Sequence, residues 1–293
     1  MATIEELNQK ITTADDLKSV VKTMKALAAV SIHQYEQAVE SLAEYDRTLE
    51  MGWQILLHRH PEIPLKESTR STPRLGLVIF GSDWGMCGQF NERISDYTQK
   101  YLNALSIRDR DGLIVNVGAK IGDSLKATGQ NCEASFNLPS SVVGITTVIQ
   151  EVVLTLEAWR KQGQVDQIVV IYNCIISGTV YRPTRLQIFP LNLRWLQDLK
   201  HKKWTSSSLP SFTMNENKLA VALFRQYFFV SLYRACAESL KSENISRLAA
   251  MQTAEKNITE RLSELNMQLN QLRQTTITEE LLDIVAGFEA LNS

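Results

Sequence analysis

The stretch LAAMQTAEKNITERLSELNMQLNQL, residues 248–272, decides the architecture. Leu248, Met251, Ala254, Ile258, Leu262, Leu265, Leu269 and Leu272 recur in it at steps of three and four, which sets one apolar stripe along one face of a helix. This is a heptad seam, and a seam requires a second helix. It belongs to an arm, residues 211–293, that contains no proline and a single glycine, Gly287, so little in the arm interrupts a helix.

The second helix is at the other end of the chain. Ile4, Leu7, Ile11, Ala14, Leu17, Val21, Met24, Ala28, Ile32, Tyr35, Val39, Leu42, Tyr45, Leu49, Trp53 and Leu56 keep the same spacing, with no proline before Pro61. Two long amphipathic helices that bracket a compact middle pair most simply as an intramolecular antiparallel coiled coil. All seven prolines, and every glycine except Gly52 and Gly287, fall between Pro61 and Pro210, so turn chemistry is confined to the middle. The expected division is a coiled-coil helix over 1–60, a linker over 61–73, a central domain over 74–190, a linker over 191–210 and the second helix over 211–293.

The middle alternates. RLGLVIF (74–80) and GLIVNVG (112–118) read as apolar strands separated by an amphipathic helix over 91–105. A short helix over 120–128, a strand over 132–138, a helix over 146–162 and the apolar strand QIVVIYNCIIS (167–177) follow. Near-continuous apolar strands alternating with helices indicate a doubly wound α/β sheet. Residues 179–189, after the turn at Gly178, pair back as an antiparallel edge strand.

Charge and motif chemistry exclude several functions. A net charge of −1 argues against nucleic acid, and the one dense basic run, Lys200-His201-Lys202-Lys203, reads as a solvated loop. No stretch approaches the roughly 18 apolar residues of a membrane span, and Glu5 and Glu6 replace the basic start of a signal peptide. Cys87, Cys132, Cys174 and Cys236 are too scattered for a disulfide framework, and His58 and His60 have no further ligand at metal spacing. An open α/β sheet binds ligands where strand passes to helix, which directs attention to GSDWGMCGQFN (81–91). Its glycines, Gly81, Gly85 and Gly88, fit neither a dinucleotide fingerprint nor a P-loop, and Ser82, Asp83 and Cys87 lack a base nearby in sequence. Neither cofactor, metal nor catalytic residue is expected.

At about 1.5 Å per residue the second helix outruns the first by roughly 30 to 40 Å. The excess carries Ile277, Leu281, Leu282, Ile284, Val285, Phe288 and Leu291. An apolar helix end of that length requires a hydrophobic sleeve supplied by another protein.

Three separated motifs resemble one family. LRQTTITEELLDIVAGFEAL (272–291) is similar to the C-terminal signature of the F-type ATP synthase gamma subunit, through Arg273-Gln274, Ile277-Thr278, Glu280-Leu281 and Asp283 to Gly287. SDWGMCGQFN (82–91) resembles that family's S-D-[RK]-G-L-C-G turn, and KTMKALAA (22–29) its K-A-M-x-M-V-A-A helix. The resemblance implies a non-catalytic rotor shaft at the cytoplasmic face of a membrane. Its partners would be a ring of alpha and beta subunits, an epsilon-type subunit and a membrane rotor ring. It also implies that Arg273 and Gln274 bond the beta-subunit catch loop and that Ile277, Leu281, Ile284 and Val285 turn in the sleeve. Met24 would face the beta-subunit lever, and Asp83, Gly85 and Gly88 would lie in a turn near other stalk partners. Asp15, Asp16 and Leu17 replace the family's basic approach to its methionine, and Trp84 replaces a basic residue of the turn. These departures point to a divergent branch, such as the sodium-translocating or second-operon forms. The competing reading is an α/β enzyme, or a scaffold, dimerised through coiled-coil arms.

Overall fold

A computed structural model of the chain describes residues 3–59, 74–105, 112–204 and 212–291, the side chains of 288–291 excepted. Helix α1 (Ile4–Arg59) leads into β1 (Leu75–Phe80), α2 (Phe90–Ala104), β2 (Gly112–Val117), α3 (Ala119–Ala127), β3 (Ala134–Phe136) and α4 (Val142–Lys161). Strands β4 (Gln167–Ser177) and β5 (Val180–Phe189), then helices α5 (Leu193–His201) and α6 (Glu216–Leu291), complete the chain. The described structure divides into two compact units, Met1–Ala28 with Arg247–Ser293, and Ala29–Ser246.

The larger unit is built on a five-stranded sheet in the order β3-β2-β1-β4-β5. Strand β1 runs parallel to β2 and β4, β2 runs parallel to β3, and β5 returns antiparallel along β4 as the hairpin reading expects. All six residues of β1 are buried, because helices cover both faces of the sheet. Val78, Phe80, Val115, Val117 and Val170 pack with Ile145, Ile149, Val152 and Leu156 of α4 and with Phe228, Leu232 and Cys236 of α6. On the opposite face Leu77, Ile79, Ile114, Val169 and Ile171 meet Ile94 and Leu102 of α2 and Ile121 and Leu125 of α3. The fold is therefore the expected doubly wound sheet with long terminal helices.

Helix α6 serves as one covering helix of the sheet and as the partner of α1. In the larger unit Glu36 pairs with Lys241, Asp46 with Arg234, and the Tyr45 hydroxyl donates to Gln226 Oε1 at 2.8 Å. Trp53 and Leu56 pack with Leu223 and Val230. Numbers rise along α1 as they fall along α6, so the pair is antiparallel. In the smaller unit Leu7 packs on Leu265 and Leu269, and Lys25 pairs with Glu255, in the same sense. The start of α1 is closed by a capping box: Glu6 N–H donates to Thr3 Oγ1 at 3.2 Å and Thr3 N–H donates to Glu6 Oε2 at 3.2 Å.

Three sequence expectations change. Residues 191–210 do not read through as linker: Leu193–His201 form α5, started by Asn192, whose Oδ1 accepts from Arg194 N–H at 2.9 Å. Leu196 and Leu199 anchor α5 under Trp53, Leu56 and Leu57 of α1. Lys200 and His201 thus belong to the last turn of a helix rather than to a loop, where cations oppose the negative end of the helix dipole. Second, α4 is long and apolar enough to cross a membrane by composition, at a mean hydropathy of 1.4, yet it lays Ile145, Ile149, Val152 and Leu156 on the sheet. Third, α6 starts at Glu216 and α4 starts at Val142, a few residues away from the sequence estimate. The linker reading of 61–73 lies outside the described residues.

Candidate functional site

The apolar end of α6 is uncovered. Among the described residues Leu272 is the last that packs with Leu7 and its neighbours, close to the start of α1 at Ile4. Beyond it, at about 1.5 Å per residue, the helix continues for roughly 30 Å. Ile277, Leu281, Leu282, Ile284 and Val285 are between 53% and 67% exposed, and residues 277–287 are exposed throughout. Thr276 and Thr278 donate their hydroxyls to the carbonyls of Leu272 and Gln274, at 3.0 and 2.8 Å, so the helix absorbs its own polar side chains. Arg273 and Gln274 stand at the junction between the paired and the bare part. Both are exposed, and Arg273 has no ion pair among the described residues. A free guanidinium there is set to hold a carboxylate in a bidentate grip.

Met24 is half-buried on α1, in a row with Leu17, Val20 and Leu27, each at least half exposed. The spacing of three and four makes this a second apolar stripe on α1, beside the stripe that faces α6.

The turn over 82–91 is held by hydrogen bonds of its own side chains. Ser82 N–H donates to Asn91 Oδ1 at 3.0 Å, and Asn91 Nδ2 donates to Ser82 Oγ at 2.7 Å. Asp83 faces inward, accepting from Ala119 N–H and Leu138 N–H at 2.9 Å each, so its carboxylate closes the start of α3. Gly81 is required by close packing, since a Cβ there would lie 2.1 Å from Ile121 Cβ. Gly88 takes φ +60°, which a side chain rarely adopts, whereas Gly85 has open space around it. The turn therefore separates the three expected residues: Asp83 and Gly88 shape it, and Gly85 lies at its surface. What it presents outward is Trp84, 78% exposed, and Met86, which carries φ +61°.

At the ends of β1 and β4, where this sheet topology elsewhere takes nucleotides, α6 sets three serines against backbone carbonyls. Ser239 Oγ lies 3.5 Å from the Phe80 carbonyl oxygen, Ser242 Oγ 2.9 Å from that of Asn173, and Ser246 Oγ donates to that of Cys87 at 2.6 Å. Tyr181 brings its hydroxyl to Ser246 Oγ at 3.1 Å from the hairpin side. Sequence reasoning missed this seam, although Ser239, Ser242 and Ser246 recur at three and four within an otherwise apolar face. Burial raises the Cys132 and Cys236 thiols, and burial with Glu238 pushes Cys174 up to about 11, which keeps these three protonated near neutral pH. Among the described residues no three His, Cys, Asp or Glu side chains gather as a metal site, and His60 lies outside them.

A two-helix coil whose longer helix runs on into a bare apolar tip is the form of a shaft-type subunit. The ATP synthase family model matches residues 3–291, and the chain belongs to that family. It is 28% identical over 305 residues to the ATP synthase gamma chain of Buchnera aphidicola subsp. Diuraphis noxia, covering 100% of each. To the ATP synthase gamma chain of Heliobacterium modesticaldum it is 27% identical over 300 residues, covering 99% of this chain and 100% of that one. In fold it resembles a chain of the Euglena gracilis mitochondrial ATP synthase, OSCP/F1/c-ring in rotational state 3, with TM-score 0.65 at 19% identity over 98% of this chain and 94% of that one. A chain of the Tetrahymena thermophila central stalk and c-ring gives TM-score 0.56 at 21% identity, over 80% of this chain and 99% of that one. Family, full-length relatives and fold agree with the three sequence motifs: the chain is a rotor-shaft subunit of an F-type ATP synthase.

Proposed function

We propose that this chain performs no chemistry and acts by its asymmetry, forcing different states on the catalytic subunits as it turns. The observation that carries this reading is the apolar helix end beyond Leu272, which water alone leaves unsatisfied. Ile277, Leu281, Ile284 and Val285 turn in a sleeve formed by a ring of alpha and beta subunits. Arg273 and Gln274 hydrogen-bond a beta-subunit loop at the mouth of that sleeve, and Met24 faces a beta-subunit lever. The sheet unit meets the membrane rotor ring and an epsilon-type subunit, with the turn at Asp83, Gly85 and Gly88 among its contact surfaces. The complex works at the cytoplasmic face of its membrane.

Reconstitution with the cognate alpha and beta subunits tests this, recording mass, stoichiometry and ATP hydrolysis together. One copy per three alpha and three beta subunits, with hydrolysis dependent on its presence, is the expected outcome. A chain that stays apart, or binds without altering hydrolysis, refutes the shaft reading.

A further inference from the structure

Between the last turns of α4 and the first turns of α6, within the larger unit, lies a cavity of about 150 Å³. Its floor is Leu156, Ile168 and Phe228, all buried, and Phe224 and the exposed Val221 form its wall and mouth. A cavity of that size lined by Leu, Ile and Phe stays dry and holds a body of about six carbon atoms, the size of a benzene ring. The rim is charged. Arg160 and Lys161 end α4, Arg225 stands on α6, and Glu157 is the one carboxylate among the lining residues. Arg225 engages both oxygens of Glu157, Nε donating to Oε1 at 3.1 Å and Nη2 to Oε2 at 3.2 Å. Lys161 Nζ stands back at 3.9 Å from Oε2 and is largely exposed. Arg160 has no carboxylate among the described residues; its guanidinium lies over the Phe189 ring at 5.5 Å and over the Phe224 ring at 5.3 Å. The rings attract the charge and hold the side chain at the cavity, yet leave its N–H donors without an oxygen acceptor.

Cations in the last turn of a helix also oppose its dipole, which accounts for the position of Arg160 and Lys161. That role needs neither an apolar cavity beside them nor the Val221 side chain, 66% exposed, at its mouth. Charge and shape together select a ligand class. The rim sets three cations against one carboxylate, and the carbonyl end of α4 offsets part of the excess, so a monoanion is matched where a dianion would meet Glu157. A planar guanidinium fork fits a carboxylate. We infer that this cavity is a binding site for a short apolar monocarboxylate, of the size of hexanoate or benzoate. Its head lies on Arg160, and its body fills the space over Leu156, Ile168 and Phe228. The site does not depend on the shaft reading, because every residue of it comes from this chain.

The test is a titration of the full chain, labelled at its Ile, Leu and Val methyl groups, with propanoate, butanoate, pentanoate and hexanoate, followed by NMR. The methyls of Leu156, Ile168 and Val221 are expected to shift, with affinity rising about fourfold for each added methylene. Benzoate should compete for the same methyls, and hexylammonium, the same body with the opposite charge, should leave them in place. Arg160→Gln should weaken hexanoate by about tenfold or more, the loss of a charge-assisted pair, and Arg160→Lys by less. Val221→Phe, at an exposed position, should close the mouth and abolish binding. The Ile121 and Leu125 methyls, on the opposite face of the sheet, should stay unmoved in both variants and so report that the fold is kept. Dodecanoate separates a soluble acid from a membrane-derived one: affinity that levels off beyond six carbons supports the short acid, and a rise that continues to dodecanoate overturns it. No shift with hexanoate, equal binding of hexylammonium, or hexanoate binding indifferent to both Arg160→Gln and Val221→Phe also overturns the inference.

Discussion

The contrast between Leu269 and Leu281 separates what the coil holds from what a partner must hold. Leu269 is 6% exposed and packs with Leu7 and Leu265, whereas Leu281, three turns further along the same helix, is 58% exposed. Leu269→Ala removes about three buried carbon groups, or roughly 2.4 kcal/mol of transfer free energy at about 0.8 kcal/mol each. A seam between two helices is open on its flanks, so water and neighbouring side chains close over the void, no cavity contribution is added and part of the transfer term is recovered, which puts the loss near the low end of the Leu→Ala range, about 2 kcal/mol. A loss of about 2 kcal/mol is close to a thirtyfold shift in the local opening equilibrium. Hydrogen exchange of residues 3–28 in the free chain is the assay, and these amides should exchange about thirtyfold faster in the Leu269→Ala variant. Leu281→Ala should leave the same amides unchanged, since surface substitutions fall within about 0.5 kcal/mol. Its effect should appear instead as altered ATP hydrolysis by the reconstituted complex. Comparable acceleration of exchange by both variants would refute the reasoning, because it would mean that the tip is already packed in the free chain.

Two further outcomes follow from the hydrogen bonds and ion pairs. Asp83→Ala deletes both charge-assisted bonds to Ala119 and Leu138 and should lower stability by about 3 kcal/mol, with Asp83→Asn recovering part because an amide keeps one acceptor oxygen. Thermal unfolding of the chain measures this, and an unchanged midpoint would assign Asp83 to a partner instead of to α3. The hydrogen bond from Lys25 holds the Glu255 carboxyl below its ordinary 4.5, so its contribution is complete above that value and is lost as pH falls through the lower folded value. Exchange of residues 3–28 should therefore quicken on acidification below about pH 4.5, and a Glu255→Gln variant should show a flatter profile over that window.

The long helices were legible because their seams are periodic over many turns. Leu7, Leu265 and Leu269 meet as the spacing requires, and β1 and β4 read as strands because both sheet faces demand apolar side chains. Helix α5 was hidden for a physical reason: it has two turns, its buried residues are reduced to Leu196 and Leu199, and its basic end looks like loop composition. The Thr3–Glu6 capping box was visible as T-x-x-E but was overshadowed by the run that follows it. At the candidate site the apolar tip could be read directly, since its exposure follows from a mismatch in helix length. The inward orientation of Asp83 could not, because both of its donors, Ala119 and Leu138, are distant in sequence.

The hydroxyls of α6 explain why a nucleotide-type sheet sits in a subunit that binds none in the proposed mechanism. In this topology the crevice beyond β1 and β4 offers backbone carbonyls and glycine-lined space. Here Ser239, Ser242 and Ser246 answer those carbonyls, and the glycines are consumed by close contacts: Gly81 against Ile121, and Gly118 against Ser82, where a Cβ would lie 2.8 Å from the carbonyl oxygen. A ligand entering that crevice would have to displace a helix whose Leu232, Ala235 and Cys236 are wholly buried on the sheet. The sheet thus acts as a clamp on one helix of the coil. The short hydrogen bond from Ser246 to the Cys87 carbonyl, with Ser239 and Ser242 close to two further carbonyls, constrains the rotation of α6 about its own axis in a way that apolar packing alone does not. A shaft that transmits torque requires that fixation, so the serines that occupy the carbonyls at the strand ends also fit the sheet to a mechanical role.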